Sequence, residues 1–180
     1  MPRNTREIDL DVEYDSLDAE VREHADDYAA AESGSTYQQL AVTKGNRAQR
    51  QRSGIAWALD YPASDEDGSG WSVDTITLGA LTKGEVNVKE QVVEDLGCDP
   101  VDAFVAVATV DAPYLDHDTD DPTPMTVKRT IRNVTQLEPG FVEWVDERAS
   151  EIGRAGDTGK SFMELATEAA TSATSKQTNG

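Results

Sequence analysis

The sequence predicts an α+β fold that is mainly helical, with a small antiparallel sheet packed by four or five helices and a flexible C-terminal segment. Three observations point there. Apolar residues alternate with polar ones in three short runs, at 7–14, 54–61 and 71–78, as in half-buried strands. Between and beyond them, apolar residues recur at helical spacing behind recognisable caps. At 180 residues the chain has the size of one domain with room for extra segments. Residues 1–153 are expected to form a single globular domain, and 154–180 a glycine hinge, a short amphipathic helix and a disordered polar tail.

The first strand carries Ile8, Leu10, Val12 and Tyr14 on one face and Asp9, Asp11 and Glu13 on the other. From Leu17 to Glu32 the spacing turns helical (Leu17, Val21, Tyr28), with Asp15 or Ser16 as cap and Gly34 as the stop. No acidic residue lies between Glu32 and Asp60, whereas Lys44, Arg47, Arg50 and Arg52 crowd together. Ile55, Trp57, Leu59 and Tyr61 alternate as a second strand ended by Pro62. An acidic Ser/Gly loop from Ala63 to Gly70 leads to a third strand with Trp71, Val73, Ile76 and Leu78, and an irregular step near Thr75 suggests a bulge. The second and third strands are expected to form a hairpin.

Thr82 and Glu85 have capping-box spacing, opening a helix with Val86, Val93 and Leu96 that stops at Gly97. Asp99 followed by Pro100 marks another helix start, through Val101, Phe104, Val105 and Ala108, closed by Pro113. After an acidic loop at 111–123, Val127, Ile131 and Val134 define one helix and Phe141, Trp144, Val145 and Ile152 the next, expected to be the main antiparallel pair. Trp144 and Phe141 belong to the core face. Gly153, Gly156 and Gly159 mark the hinge, beyond which Ser161 and Glu164 cap a helix carrying Phe162, Leu165 and Ala169.

Charge bounds the function. The 35 acidic residues against 16 basic ones give a net charge of −19. In dilute buffer such an excess repels itself, but at molar salt the Debye length falls to about 3 Å and the carboxylates serve to hold water and cations. The composition is that expected of a protein from a high-salt cytoplasm. It argues against general nucleic-acid binding, which needs cations to neutralise phosphates. No basic start followed by an apolar run opens the chain, and its longest apolar stretch, Val101 to Val110, is too short to cross a bilayer. Neither a signal peptide nor a membrane span is therefore expected.

Several patterns invite a chemical reading and fail on spacing. Gly153 to Ser161 ends in Gly-Lys-Ser like a phosphate-binding loop, but Arg154 stands where the first glycine belongs. Asp116, Asp118 and Asp120 begin like a calcium loop, but Asp121 replaces the turn glycine and Val127 the bidentate Glu. Asp65, Glu66 and Asp67 read as a solvated acidic loop. With Cys98 the only cysteine and His24 and His117 the only histidines, no cysteine-pair zinc site exists and intrachain disulfides are impossible. No catalytic residue, metal ligand or cofactor is expected. The basic segment Lys44, Arg47, Arg50 and Arg52 admits three readings: a plain loop, a surface for an acidic protein partner, or a local nucleic-acid patch. No aromatic residue interleaves it, which disfavours single-strand stacking. The helix with Phe162, Leu165 and Ala169 is too short to stand alone and must dock on its own domain, a second copy or a partner.

The passage Trp71-Ser-Val-Asp-Thr-Ile-Thr-Leu-Gly-Ala-Leu-Thr82, the loop Asp111-Ala-Pro-Tyr-Leu115 and the closing helices through Leu137 and Phe141-Val-Glu-Trp144 resemble the tail assembly chaperones of tailed viruses. The type is the one expected in a virus or provirus of a halophilic archaeon. The resemblance covers residues 71–152. It implies a small, mostly helical, non-enzymatic protein that coats the tape-measure protein and recruits tail-tube subunits before leaving the particle, with a possible longer frameshifted form. It also implies that the Phe162 and Leu165 face meets client helices, and it leaves a homo-oligomer open. Two alternatives remain: a structural virion protein of the head or tail, and a small nucleic-acid-associated regulator using residues 44–52. The expected location is the cytoplasm of a high-salt host, or the virion for the structural alternative.

Overall fold

The computed structural model describes residues 3–61, 68–71 and 73–158. Within them the order is β1 (Thr5–Asp9), α1 (Leu10–Ala30), α2 (Thr36–Ala58), β2 (Thr75–Gly79), α3 (Lys83–Leu96), α4 (Pro100–Ala108), β3 (Thr109–Asp111), α5 (Pro124–Val134) and α6 (Pro139–Thr158). The α+β, mainly helical class is as expected. The sheet has β2 at its centre with β1 and β3 antiparallel on either side, Thr5 opposite Gly79 and Leu78 opposite Thr109.

The predicted strand at 7–14 is a strand only to Asp9. There the Asp9 side chain accepts from the Val12 amide and caps α1, and Asp11 and Glu13 favour the positive end of the helix dipole. Leu10, Tyr14, Leu17, Val21 and His24 form one helical stripe at alternating spacings of four and three, with Leu10 and Leu17 fully buried. The same residues satisfied both periods over 8–14, and Val12, on the opposite helix face, is exposed. The helix thus starts at Leu10, ahead of the expected Asp15 or Ser16 cap.

The predicted strand at 54–61 is the end of a helix. Ser35 caps α2, which continues to Ala58, so Ile55 and Leu59 are four-apart neighbours at a helix end, and Asp60 then turns the chain at a φ of 54°. Ala41, Ala48 and Ile55 fall seven apart and are all buried, with Gly45 between them 3.3 Å from the His24 side chain when a Cβ is added. Small residues thus bring α2 close to α1. No hairpin links 54–61 to 71–78: β2 pairs with β1 and with the three-residue β3, which is too short to show periodicity. The register irregularity falls at Thr77/Leu78 on the β3 side rather than near Thr75.

The helix starts after β2 are as expected. Thr82 and Glu85 form the capping box of α3, Gly97 ends it in the left-handed region, and Asp99 caps α4 with Pro100 in the first turn. Helix α4 passes into β3 at Thr109, ahead of Pro113. The expected α5–α6 pair is not the main one: α1 packs along α2, α2 along α6, and α5 rests on α3 and α4. Of the expected hinge glycines, Gly153 and Gly156 lie in α6, which extends to Thr158, and Gly159 lies outside the described residues. Trp57, Trp71, Tyr114, Phe141 and Trp144 form an aromatic cluster, with Trp71 and Phe141 ring centres 5.4 Å apart and Phe141 and Trp144 5.6 Å apart.

The α2–α6 crossing is unusually close. A Cβ built on Gly54 would strike the Phe141 backbone nitrogen and lie 2.6 Å from the Phe141 Cα, and one built on Gly140 would strike the Arg50 carbonyl. Only glycine fits at either position.

Candidate protein-binding surface

The basic segment lies along α2, and most of it faces acids of the same chain. Arg50 meets Glu143 through two hydrogen bonds of 3.1 Å, and Arg47 pairs with Glu147. Gln51, buried, donates to Glu147 at 2.7 Å. Arg52 bonds Asp18, which also takes Arg22 from the next turn of α1. The three arginines therefore form parts of the α2–α6 and α1–α2 seams, and the carboxylate of Glu143 raises the Arg50 pKa by hydrogen bond and charge. Lys44 differs: it is exposed and takes part in no ion pair among the described residues.

Helix periodicity then exposes a second stripe. Gly54, Gln51 and Arg47 are among the α2 positions that meet α6. Continuing the same three-four spacing toward the start of α2 gives Lys44, Leu40 and Tyr37. Leu40 is 47% and Tyr37 60% exposed, so the seam that α6 covers on one half of α2 runs on bare along the other. Across the hairpin, Tyr28 of α1 is also exposed. The far halves of α1 and α2 thus form a two-helix arm. A small dent in it, about 50 Å³ and lined by His24, Asp27, Tyr37, Leu40, Ala41 and Lys44, is room for little more than water. His24 Nδ1 there has no hydrogen-bond partner, its nearest carboxylate, Asp27, being 3.7 Å away.

A broader groove of about 480 Å³ lies where α4 begins and α5 gives way to α6. Val101, Leu137 and Val142 line it among Asp99, Asp102, Glu143 and Asp146. Burial, and then the neighbouring Asp99, raise the Asp102 pKa; burial and Glu147 raise that of Asp146.

The remaining sequence candidates are placed as follows. Among the described residues no three of His, Cys, Asp and Glu converge as metal ligands. Of the calcium-like run, the Asp118 carboxylate accepts from the Asp120 amide and the Asp116 amide donates to Thr130. Cys98 is half-buried beside the Val92 carbonyl, and burial pushes its thiol pKa up, away from thiolate chemistry. His117 bonds Thr130 Oγ1 at 2.8 Å, and burial, then Arg3, lower its pKa. Gly153 to Thr158 of the Gly-Lys-Ser run are helical, and the rest of that run lies outside the described residues. So do Asp65, Glu66 and Asp67, and the predicted binding face of Phe162, Leu165 and Ala169.

The segments that carry the family resemblance converge in the interior, where Trp71, Tyr114, Phe141 and Trp144 share the aromatic cluster. They build the core that holds α6 in place. Comparison with known protein families, curated proteins and solved structures finds no match to this chain. No helix among the described residues is long and apolar enough to cross a membrane.

The arm surface is what sequence reasoning missed. Its signal was present as two interleaved heptad patterns in α2, one through Ala41, Ala48 and Ile55 and one through Tyr37, Leu40, Lys44, Arg47, Gln51 and Gly54.

Proposed function

We propose that this protein is a non-enzymatic assembly factor that works through helix-to-helix contacts, and that its role is tail assembly in a virus or provirus of a high-salt host. The observation that carries the assembly reading is the bare stripe of Tyr37, Leu40 and Lys44, which continues an intramolecular helix seam onto an arm with no covering element among the described residues. Exposed apolar residues scattered singly need no explanation, but a stripe in register with a packed seam is a helix-docking geometry. The tail-assembly form rests on the resemblance over residues 71–152 and on the acidic composition. It makes the tape-measure protein and the tail-tube subunits the partners, with no cofactor or metal involved.

The ion pairing of Arg47, Arg50 and Arg52 weighs against the nucleic-acid regulator, since those cations already face carboxylates. The structural virion protein shares every feature on which the assembly reading rests and is separated from it by location.

The test is a tagged pull-down from the native host during infection or provirus induction, in molar potassium chloride, with co-purifying chains identified by mass spectrometry. Recovery of a very long helical chain together with tube subunits is the expected outcome. Recovery of capsid or connector proteins, or of no viral protein, would sink the tail-assembly reading.

A further inference from the structure

The far half of the arm differs in charge from the rest of the chain. From Ser33 to Thr43, eleven consecutive residues carry no charge, in a chain of net charge −19. Six of them, Thr36, Tyr37, Gln39, Leu40, Val42 and Thr43, are exposed on α2. An α2 face that itself bears no carboxylate and presents Tyr37 and Leu40, with Asp27 of α1 at its edge, has the character of the desolvated centre of a protein interface.

The flanks of the arm then select the occupant. On α1 the exposed residues Glu20, Glu23 and Asp26 are acidic, whereas α2 has no acid at all and offers Lys44 beside Leu40. One arm is therefore acidic along one helix and neutral to basic along the other. Turned about a two-fold axis, a second arm sets its acidic α1 opposite the first arm's α2, and the reverse contact follows by symmetry. The far halves of α1 and α2, about eleven residues or roughly 16 Å each, are what two copies can pair, and two such arms make a short four-helix bundle that encloses both bare stripes.

We infer that the partner of the arm is a second copy of this chain, and that the bare stripe on α2 is the centre of a two-fold, four-helix dimer interface. This rests on the assembly reading above and names the partner of that same surface.

The experiment is sedimentation velocity of the full chain in molar potassium chloride over a range of concentrations. The parent should sediment at twice the chain mass. The double variant Tyr37→Glu, Leu40→Glu should dimerise about 100-fold more weakly, since each copy would bury two charges in place of apolar contacts. Lys44→Glu, at an exposed position on the rim of the small dent, should weaken the dimer in the same direction while leaving far-UV circular dichroism unchanged. That keeps the test valid where the double variant misfolds. A monomeric parent, or a dimer insensitive to both changes, would overturn the inference. A monomeric parent that loses a viral partner on Tyr37→Glu, Leu40→Glu would also overturn self-pairing but leave the assembly reading intact. A dimer that behaves as expected yet captures no viral assembly protein in the pull-down would support the interface and defeat the tail-assembly role.

Discussion

Gly54→Ala should destabilise this protein although alanine is the better helix former. Residue 54 lies inside α2, where exchanging glycine for alanine in an open position gains about 1 kcal/mol. Here the added Cβ meets backbone rather than a flexible side chain, lying 2.6 Å from the Phe141 Cα where ordinary carbon contacts are near 3.5–4.0 Å. Opening the crossing by about 1 Å would loosen the contacts of Ile55 and Phe141, both fully buried. Overpacking of this kind costs about 3 kcal/mol at the rigid end of its range, leaving a net loss of about 2 kcal/mol. For a chain of this size that lowers the thermal midpoint by roughly 4–8 °C. Gly153→Ala is the matched control: residue 153 is also helical, a Cβ there meets nothing within 4 Å, and the midpoint should rise by roughly 2–4 °C. The assay is reversible thermal unfolding in molar salt. A Gly54→Ala variant as stable as the parent would refute the close α2–α6 crossing.

Arg3 ties the N-terminus to three elements: it donates to the carbonyls of Val107 at 2.7 Å and Ala80 at 3.2 Å and pairs with Glu85 at 2.8 Å. Arg3→Met leaves Glu85 buried without its cation, and denaturant unfolding should show a loss of about 3 kcal/mol. His117 is held below its ordinary pKa by burial and Arg3, against the opposing pull of Asp118 and Asp116. Its neutral form is thus favoured in the fold; as pH falls below 6.5, the ordinary histidine value, unfolding takes up a proton and this contribution is lost down to the folded pKa. His117→Gln should flatten the midpoint-against-pH curve between neutral and mildly acidic pH; an unchanged slope would exclude the effect. Arg50→Gln breaks an exposed pair with Glu143, and thermal unfolding should show almost no change in the midpoint, least of all at molar salt.

Local chemistry was legible where a short motif has one meaning. Thr82 with Glu85, Gly97, and Asp99 with Pro100 each name a helix boundary, and each falls where the spacing placed it. The strands were harder, because over four or five residues alternation cannot separate a strand from a helix. Ile8 to Tyr14 and Ile55 to Tyr61 each contain a four-apart pair as well as a two-apart series. At the first, the Asp9 cap decided; at the second, a buried stripe through Ala41 and Ala48 that hydrophobicity alone does not reveal. The bare seam on α2 was hidden for the same reason. Alanine and glycine at its contacts carry little apolar signal, and the neighbouring arginines read as a free patch until Glu143, Glu147 and Asp18 were found opposite them.

The proposed role predicts departure from the finished particle, and that is measured most directly by quantifying this chain by mass spectrometry in infected or induced cells and in purified particles from the same culture. The account predicts a chain abundant in cell extract beside tape-measure and tube proteins, and absent from particles. A fixed stoichiometry with the tube or capsid subunits in purified particles would contradict it and make the chain a structural component.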